Sequence, residues 1–317
     1  MQPKLSIIMS AHNPHLGRLR SSLEGIAKQD LPLDTWEMLL VDNASTSFPS
    51  NDAIADVFPR NMRKLEEPEL GLAFGRICGL TAARGDCAVL VDDDNVLDPS
   101  YLTNILNIFD AHPGVGIAGG KSLPLFEALP PPWLGEFFSL LALRDLGDEQ
   151  QLSQGLRDAE ATLDQYPYFA PIGAGMALRR PAWEAWLTAR DVTSAITGRR
   201  GNSLASGEDC DIVFSAMRAG WEVGYFPQLT LQHLIPAGRL DPRYLERLNR
   251  GIQKSWMQLL TAHNANPWSS VSSSGAMLRK VKAWLNCNGW SGPVERIRWQ
   301  GACGHFDGRI RKQLDRP

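Results

Sequence analysis

Cys87-Ala-Val-Leu-Val-Asp-Asp-Asp-Asn-Val-Leu-Asp98 is the stretch that decides the fold of this chain. Its first five residues are small or apolar, and a short apolar run bounded by turn signals is typical of a buried parallel strand. Three carboxylates, Asp92 to Asp94, follow directly, at the strand end where open α/β sheets bind their ligands. Because like charges at such a place repel one another, we expect a cation between them. A hard divalent ion that bridges to substrate phosphates is the simplest candidate, and an acidic turn capping the next helix through Asp98 is the alternative.

The composition is that of an ordinary globular protein. The chain has 317 residues, 44% of them hydrophobic and 21% charged, and its net charge of -3 gives no electrostatic footprint for nucleic acid. The five cysteines lack CxxC spacing, which predicts reduced thiols and a cytoplasmic location, without a disulfide framework or a zinc site. Leu5–Met9 is too short for the apolar part of a signal peptide, and no apolar run of about 18 residues indicates a spanning helix. Peripheral contact with the inner face of a membrane stays open.

Strands and helices alternate along the first 120 residues. Strands are predicted at Leu5–Met9, Trp36–Val41, Arg63–Leu65 and Cys87–Val91, and helices at Leu16–Gln29, Gly71–Ala83 and Pro99–Ala111. This alternation favours an α/β fold, in which a Rossmann-like, mostly parallel sheet is flanked by helices. Residues 1–120 are therefore predicted to be a nucleotide-binding half-domain.

The pattern changes after Gly120. Ala170–Leu178 is small and apolar, which predicts a strand on which another group packs closely. Glu208 to Ala219 has the apolar spacing of a helix, and Trp221–Phe226 is predicted to be a strand that leads to His233. From Asp241 onward the chain is predicted to be a helical, tryptophan-rich region that is basic in patches.

Three acidic or imidazole side chains each allow two interpretations. Asp42 ends the second predicted strand and either binds a base or ribose or makes an Asx-turn. Asp209 is either a general base or, with Ser206, part of a capping box at a helix start. His233 either completes a Mn²⁺ site beside Asp94 or is a structural histidine.

Two other classes of protein fit parts of the same pattern. Asp92-Asp-Asp-Asn-Val96 also fits the opening motif of haloacid-dehalogenase-like phosphatases, with Asp92 as the nucleophile and Asp94 as acid and base. Two complete strand–helix units before the motif argue against that class, as does the lack of a convincing downstream lysine with an acidic pair. A non-catalytic protein that binds sugar nucleotides is the second alternative, and the intact pair Glu208-Asp209 argues against it.

Six short blocks, in this order along the chain, carry a family resemblance. They are Ser6-Ile-Ile-Met-Ser-Ala-His-Asn13, Val41-Asp-Asn-Ala-Ser-Thr46, Gly71-Leu-Ala-Phe-Gly-Arg76, Leu90-Val-Asp-Asp-Asp94, Gly173-Ala-Gly-Met-Ala-Leu-Arg-Arg180 and Gly207-Glu-Asp209. Together they resemble family 2 glycosyltransferases of the GT-A fold across roughly residues 4–240. The resemblance implies a metal-dependent, inverting transfer of a sugar from a nucleotide-diphosphate donor to a saccharide or lipid-linked hydroxyl, in polysaccharide or glycoconjugate synthesis. It also implies a GT-A domain over 1–240, with an acceptor-binding half at 121–240 and a helical C-terminal region at 241–317.

The resemblance gives each matched position an expected role. Asp209, supported by Glu208, is the expected catalytic base. The residues expected at the nucleotide and diphosphate are Ala11, His12, Asn13, Asp42, Arg76, Asp92 and Asp93. The residues expected at a Mn²⁺ or Mg²⁺ ion are Asp92, Asp94 and His233, and those expected near the acceptor are Gly173, Gly175 and Trp133. Arg239 is expected to help close the site over the diphosphate.

Two positions depart from the common family pattern. Ile77 stands after Arg76 where the family often has asparagine, and His12 stands before Asn13 where the family often has tyrosine. These departures concern the identity of the substrate more than the type of reaction.

Overall fold

A single mixed sheet organises the computed structural model, which describes residues 2–156, 165–193, 204 and 207–311. The sheet has nine strands within these residues. They are β1 (Leu5–Ala11), β2 (Trp36–Asn43), β3 (Met62–Glu67), β4 (Cys87–Val91), β5 (Asn95–Leu97), β6 (Val115–Phe126), β7 (Gln151–Ser153), β8 (Ala177–Arg179) and β9 (Glu222–Ile235). Their order is β3-β2-β1-β4-β8-β6-β9-β5, and β7 pairs with the other part of β9.

Helices cover the sheet and form the C-terminal region. The α-helices are α1 (Leu16–Ala27), α2 (Leu72–Ala82), α3 (Tyr101–Ala111), α4 (Arg180–Thr193), α5 (Glu208–Arg218), α6 (Pro242–Ala262), α7 (Ser273–Asn286) and α8 (Pro293–Gly308). Short 3-10 helices lie at Asn51–Ala53, Pro132–Leu141 and Ala237–Leu240. No helix in the described part of the chain combines the length and the apolar character that crossing a bilayer requires.

The four N-terminal strands β1 to β4 pair in parallel, as the alternating pattern predicts. Their register brings Ala11 level with Asp42, and Met9 level with Val91, so that β1, β2 and β4 end along one edge of the sheet. The rest of the sheet is mixed, because β8 pairs antiparallel with both β4 and β6 while β6 and β9 pair in parallel. The predicted α/β fold with flanking helices is confirmed, and its parallel character belongs mainly to the N-terminal half.

Hydrophobic packing on both sheet faces explains why these strands are buried. Alternate residues of β1 point to opposite faces: Ile7 and Met9 pack with α1 and α3, while Ile8 packs with α4 and α5. A third cluster joins the 3-10 helix Pro132–Leu141 to α6 and α8. Fully buried strands of this kind show continuous apolar runs, which is why β1, β2 and β4 were recognisable in the sequence.

Two predicted elements differ from the structure. Of the stretch Ala170–Leu178, only Ala177 and Leu178 lie in β8; the preceding residues are irregular, because Gly175 adopts a φ of +75° that a strand cannot contain. The strand predicted at Trp221–Phe226 continues as β9 to Ile235. No strand was predicted over β6, whose interior glycines and register shift between Gly119 and Lys121 obscure the strand pattern.

Candidate active site

A cavity of about 290 Å³ lies beyond the carboxyl ends of β1, β2 and β4. Polar and charged side chains dominate its wall, so it suits a charged ligand. Its lining residues are Ser10, His12, Asn43, Leu70, Leu72, Arg76, Asp92, Asp93, Asp94, Leu141, Ala142, Gly173, Ala174, Glu208, Asp209, His233 and Arg239.

Arg76 of α2 is the buried cation at the centre of this wall. Its side chain is only 3% exposed, and it donates through Nη1 to Glu208 Oε1 at 3.0 Å and through Nη2 to Asp92 Oδ1 at 3.1 Å. Nη2 also lies 3.4 Å from the carbonyl oxygen of Gly173. Burial alone would lower the pKa of the Arg76 guanidinium, but the charges of Asp92 and Glu208 raise it above its ordinary value. Arg76 therefore joins the acidic turn after β4 to the start of α5.

Asp94 is the second charged centre of the cavity. Its Oδ2 lies 2.9 Å from Arg239 Nη2, while its Oδ1 lies 3.3 Å from His233 Nε2 and accepts from Asn95 Nδ2 at 3.2 Å. The antiparallel pairing of Asn95 with His233 in β5 and β9 brings the imidazole here. Arg239 Nη1 is also 3.2 Å from His233 Nε2, so that all three side chains form one cluster. His233 Nδ1 is buried and has no hydrogen-bond partner among the described residues.

Asp93 is the middle carboxyl group of the acidic turn. Burial, together with the neighbouring charges of Asp94 and Asp92, raises the pKa of Asp93 to about 7. Asp93 therefore keeps its proton close to neutral pH, whereas Asp92 and Asp94 each lie against an arginine. The repulsion expected between the three carboxylates is thus relieved here by two guanidinium groups and one retained proton.

The side chains expected at the metal site have the ligand atoms that a divalent ion prefers, but they are not placed around a common point. Carboxylate oxygens and an imidazole nitrogen are ligands that Mn²⁺ accepts, and Asp92, Asp94 and His233 supply them. Within the described ranges, however, no group of three or more His, Cys, Asp or Glu side chains is placed to hold a metal ion. Asp94 Oδ2, one of the oxygens that would hold an ion, lies 2.9 Å from Arg239 Nη2.

The first turn of α5 places two carboxylates on the cavity wall with different partners. Glu208 is buried and faces Arg76. Asp209 is half-buried, and its Oδ2 accepts from the backbone N–H of Gly173 at 3.2 Å while its Oδ1 accepts from the Cys210 N–H at 2.9 Å. The N-cap of α5 is Gly207, which has no capping side chain, and Ser206 of the alternative capping box lies outside the described residues.

Asp211, one residue beyond Cys210, is a site-supporting residue that the sequence analysis missed. Its carboxylate accepts from Trp186 Nε1 at 2.7 Å and lies 2.8 Å from His263 Nε2, and all three side chains are buried. These bonds tie α5 to α4 and to the end of α6, behind the cavity. The sequence signal for Asp211 was weak. It is a second acid, two positions after the predicted base Asp209, and an acid that is buried at such a place requires a hydrogen-bond partner.

The loops after β1 and β2 hold each other by hydrogen bonds. Asn13 Oδ1 accepts from the N–H groups of Thr46 and Ser47, both at 2.9 Å, and His12 Nδ1 lies 2.8 Å from the carbonyl oxygen of Asn43. Asp42 Oδ1 accepts from the Ser45 N–H at 3.2 Å. This hydrogen bond stabilises a turn, which is the structural interpretation that the sequence allows for Asp42.

Of the four residues expected at the nucleotide from these two loops, only His12 lines the cavity, whereas Ala11, Asn13 and Asp42 do not. Asn43, which was not predicted, lines the cavity and fixes the start of α2, because its Oδ1 accepts from the Gly71 N–H at 2.8 Å.

The three expected acceptor-binding residues are not brought together. Gly173 lines the cavity, whereas the carbonyl of Gly175 accepts from Tyr101 Oη at 2.7 Å inside the core. Trp133 packs edge-on against Phe137, with ring centroids 6.1 Å apart, in the third hydrophobic cluster. Roles for Gly175 and Trp133 at an acceptor stay predictions.

The mixed sheet flanked by helices, with acidic residues at the ends of its parallel strands, defines the chain as a protein of the GT-A glycosyltransferase class. The sequence profile of the family described as "Glycosyltransferase like family 2" matches residues 5–253. The chain therefore belongs to this family and is a glycosyltransferase. Because the chain belongs to the glycosyltransferase family, it is not a haloacid-dehalogenase-like phosphatase.

Solved structures and one curated sequence resemble the chain. The crystal structure of S. aureus TarS residues 1–349 superposes with a TM-score of 0.52 at 13% identity, over 96% of this chain and 90% of that one. The UDP complex of the same TarS fragment gives a TM-score of 0.49 at 13% identity, with the same coverage. An uncharacterized protein of Sinorhizobium fredii (strain NBRC 101917 / NGR234), y4gI, is 28% identical over 120 residues, which is 36% of this chain but 13% of that relative's length. The likeness to the first of these structures supports the fold.

Proposed function

We propose that this chain transfers a sugar from a nucleoside-diphosphate donor to a hydroxyl group of a saccharide or lipid-linked acceptor, with inversion at the anomeric carbon. One observation carries the proposal: a single cavity combines two guanidinium groups, Arg76 and Arg239, with the half-buried carboxylate of Asp209 on its wall. A departing diphosphate needs positive charge, and an attacking hydroxyl needs a base. The cavity offers both.

The arginines suit the leaving group. When the bond between sugar and diphosphate breaks, negative charge develops on the phosphate oxygens, and preorganised donors aimed at that charge lower the barrier. Guanidinium groups bind phosphate through paired N–H donors. Arg76 is held rigidly by Glu208 and Asp92, so it is already oriented before a ligand arrives.

Asp209 suits the role of general base. Its carboxylate oxygens accept from the backbone N–H groups of Gly173 and Cys210, and an ionised carboxylate has acceptor sites beyond those two bonds. A hydroxyl group within hydrogen-bond distance of Asp209 would give up its proton as its oxygen attacks the anomeric carbon. Glu208 supports this step indirectly, because it holds Arg76 beside the same helix start.

A divalent cation, Mn²⁺ or Mg²⁺, remains part of the proposal on the strength of the donor chemistry. Asp92, Asp94 and His233 would hold it, once Arg239 gives up Asp94. When bound, such an ion neutralises charge on a diphosphate. The buried, unpartnered Nδ1 of His233 leaves the imidazole free to change its tautomer as Nε2 takes a new partner.

The broader setting is proposed on less direct grounds. We keep residues 1–240 as the catalytic domain, with a nucleotide-binding half at 1–120, an acceptor-binding half at 121–240 and a helical region at 241–317. The five cysteines are all free thiols, which favours the reducing cytoplasm. Polysaccharide or glycoconjugate synthesis is the process in which such a transfer would serve.

The direct test is Asp209→Asn, assayed for release of nucleoside diphosphate from UDP-, GDP-, dTDP- and CDP-sugars in the presence of saccharide acceptors. Loss of the base is expected to lower turnover by about 10²- to 10⁴-fold. The affinity for the nucleoside diphosphate is expected to change far less than turnover, since Asp209 makes its hydrogen bonds with the backbone N–H groups of Gly173 and Cys210 and forms no ion pair with Arg76 or Arg239. Asp148→Asn is the matched control: it changes an exposed carboxylate that pairs with Lys121 on the surface, and it should leave turnover unchanged.

Each outcome decides between the hypotheses. Wild-type protein that binds nucleotide but turns over no donor would support the non-catalytic alternative. Full turnover by the Asp209 variant would exclude Asp209 as the base. The anomeric configuration of the product, read by NMR coupling constants, tests inversion separately: retention of the donor configuration would contradict that part of the proposal.

A further inference from the structure

Helix α7 exposes a row of large apolar side chains. Met277, Leu278, Val281 and Leu285 are 69%, 73%, 55% and 58% exposed. At 3.6 residues per turn, these four positions fall within an arc of about 100°, which makes one continuous stripe. The packed side of α7 borders the Met277 edge of this stripe: Ala276 is fully buried, and Trp284, about 20° from Met277 around the helix, lies edge-on to Trp299 of α8, with ring centroids 4.6 Å apart. We name the exposed stripe, together with Trp290, the α7 surface.

The α7 surface is unusual within this protein. Twelve large hydrophobic side chains of the described residues are strongly exposed, and six of them lie between Trp268 and Trp290. Scattered exposed hydrophobic residues are ordinary on a soluble surface, whereas a contiguous patch indicates an interaction site. Trp290, which is 60% exposed, follows α7 directly, and tryptophan is the side chain that favours the boundary between water and lipid.

The charged side chains of α7 and of the segments that flank it in sequence are all cations. From Arg247 to Val294 the sequence contains six lysines and arginines and no aspartate or glutamate. Arg250 and Lys280 of this set are paired with Asp307. Arg279 and Lys282 are exposed on α7 itself, and neither forms an ion pair with any residue that the structure describes. A partner of this face must therefore combine negative charge with apolar groups.

We propose that the α7 surface docks on an anionic lipid bilayer, with α7 lying in the plane of the interface. A helix with an apolar stripe beside lysine and arginine is the form in which interfacial helices bind, since acyl chains accept the stripe and anionic headgroups accept the cations. A second copy of this chain fits less well: a two-fold contact through the stripe would bring the flanking Lys282 of both copies into one interface, where α7 supplies no carboxylate to pair with them. The inference rests on α7 alone and does not depend on the catalytic proposal.

The test is co-sedimentation of the full chain with vesicles of phosphatidylcholine alone or with phosphatidylglycerol added. The bound fraction is expected to rise with the phosphatidylglycerol content and to fall as NaCl is added. Leu278→Ser/Val281→Ser/Leu285→Ser is expected to weaken the partition coefficient at least about tenfold. Arg279→Gln/Lys282→Gln is expected to weaken it about tenfold or more on anionic vesicles only.

Matched controls remove the same groups elsewhere. Leu33→Ser/Leu129→Ser truncates exposed apolar side chains away from α7, and Lys28→Gln/Arg60→Gln removes two exposed cations. All variants change exposed residues, and circular dichroism with a thermal midpoint confirms their folding.

Two results would overturn the proposal. The first is a wild-type chain that does not sediment with anionic vesicles, or that binds them no better than the triple serine variant. The second is a concentration-dependent dimer in solution, measured by light scattering, that the triple variant dissolves, because a second copy would then cover the α7 surface. Neither result bears on turnover, so failure here is distinct from failure of the catalytic proposal.

Discussion

Arg76 shows at the scale of a single residue how distant parts of the chain make the site. Sequence resemblance placed this arginine at the diphosphate, but its partner Glu208 stands 132 positions later. No spacing rule relates two such positions, since only the folded chain brings the start of α5 beside Arg76 of α2. The family resemblance therefore identifies Arg76 as a candidate for binding the diphosphate. Its ion pair with Glu208, which orients the guanidinium group, can be seen only in the folded structure.

Arg76→Gln is expected to destabilise the protein by about 3 to 5 kcal/mol, because it leaves the buried Glu208 and the half-buried Asp92 without their cation. Urea unfolding followed by fluorescence measures the change. Arg18→Gln removes the cation of a surface pair with Glu127 and should cost less than about 1 kcal/mol. Equal costs for the two variants would mean that the buried bridge contributes no more than a surface contact.

Asp42 and Asn13 illustrate where assignment by residue type falls short. Both stand in blocks that match the family and lie at the correct edge of the sheet, Asp42 near the end of β2 and Asn13 in the loop after β1. Their oxygens nevertheless accept backbone N–H groups of residues 45 to 47 and shape the loop. The side-chain oxygens of asparagine and aspartate can bind either backbone N–H groups in a turn or a ligand. The sequence therefore predicts where such a residue lies better than which of these two partners it binds.

At the scale of elements, the start of α5 depends on its neighbours for position. Asp211 anchors it from behind, while Gly173 lies in front of it, between Arg76 and Asp209. A Cβ atom at Gly173 would lie 2.7 Å from both Nη1 and Nη2 of Arg76, and Arg76 is pinned by two carboxylates. The glycine is required by this close approach.

Gly173→Ala is therefore expected to cost about 1 to 3 kcal/mol of stability and to lower nucleoside-diphosphate affinity, because Arg76 must move. Thermal unfolding and calorimetric titration measure the two effects. Gly135→Ala is the control, since a Cβ there meets nothing within 4 Å, and its stability should stay within about 0.5 kcal/mol of wild type. If the Gly173 variant behaves like the control, Arg76 is not held as tightly as its contacts imply.

Asp307 joins the three C-terminal helices, and its charge makes a pH-dependent contribution to stability. It accepts from Arg250 of α6 at 2.7 Å and from Lys280 of α7. Burial alone would raise the pKa of Asp307, but the hydrogen bond from Lys280 and the charge and hydrogen bond of Arg250 lower it below the ordinary 3.8. A depressed folded-state pKa stabilises the protein above the unfolded-state value, and this stabilisation is lost as the pH falls through the lowered pKa.

Asp307→Asn should accordingly destabilise the protein by about 1 to 2 kcal/mol at pH 7, with a difference from wild type that shrinks below about pH 4. Urea unfolding across this pH range checks the sign. Asp148→Asn, at a fully exposed carboxylate, should leave the unfolding midpoint unchanged at every pH. A constant difference between the Asp307 variant and wild type at all pH values would contradict a charge-based effect.

Elements differ in how readily the sequence reveals them. Strands β1, β2 and β4 are buried on both faces, so their apolar runs were recognised with nearly correct ends. Strand β8 has three residues, and its approach contains Gly175 at positive φ, so the apolar run before it was misread as one strand. Short strands that depend on tertiary pairing leave little local signal.

At the scale of the whole molecule, the C-terminal helices and the sheet share hydrophobic cores. The third cluster combines Leu134 and Phe137 with Leu245 of α6 and Ile297 of α8, and Met257 of α6 packs in the second cluster with α4 and α5. Composition indicated a distinct helical region after residue 240. The described contacts bind it to the catalytic part, and the α7 surface is the face of this region that stays exposed.

The central claim is that the cavity between Arg76, Asp94 and Asp209 binds a nucleoside diphosphate. Titration calorimetry with UDP, GDP, dTDP and CDP, each with and without Mn²⁺, tests it most directly. Wild type is compared with Asp94→Asn and with the control Asp34→Asn, which changes an exposed carboxylate. The account predicts that one diphosphate binds, that Mn²⁺ strengthens its binding to wild type and to the control, and that the Asp94 variant loses this gain. No binding of any of the four, with or without the metal, would contradict it.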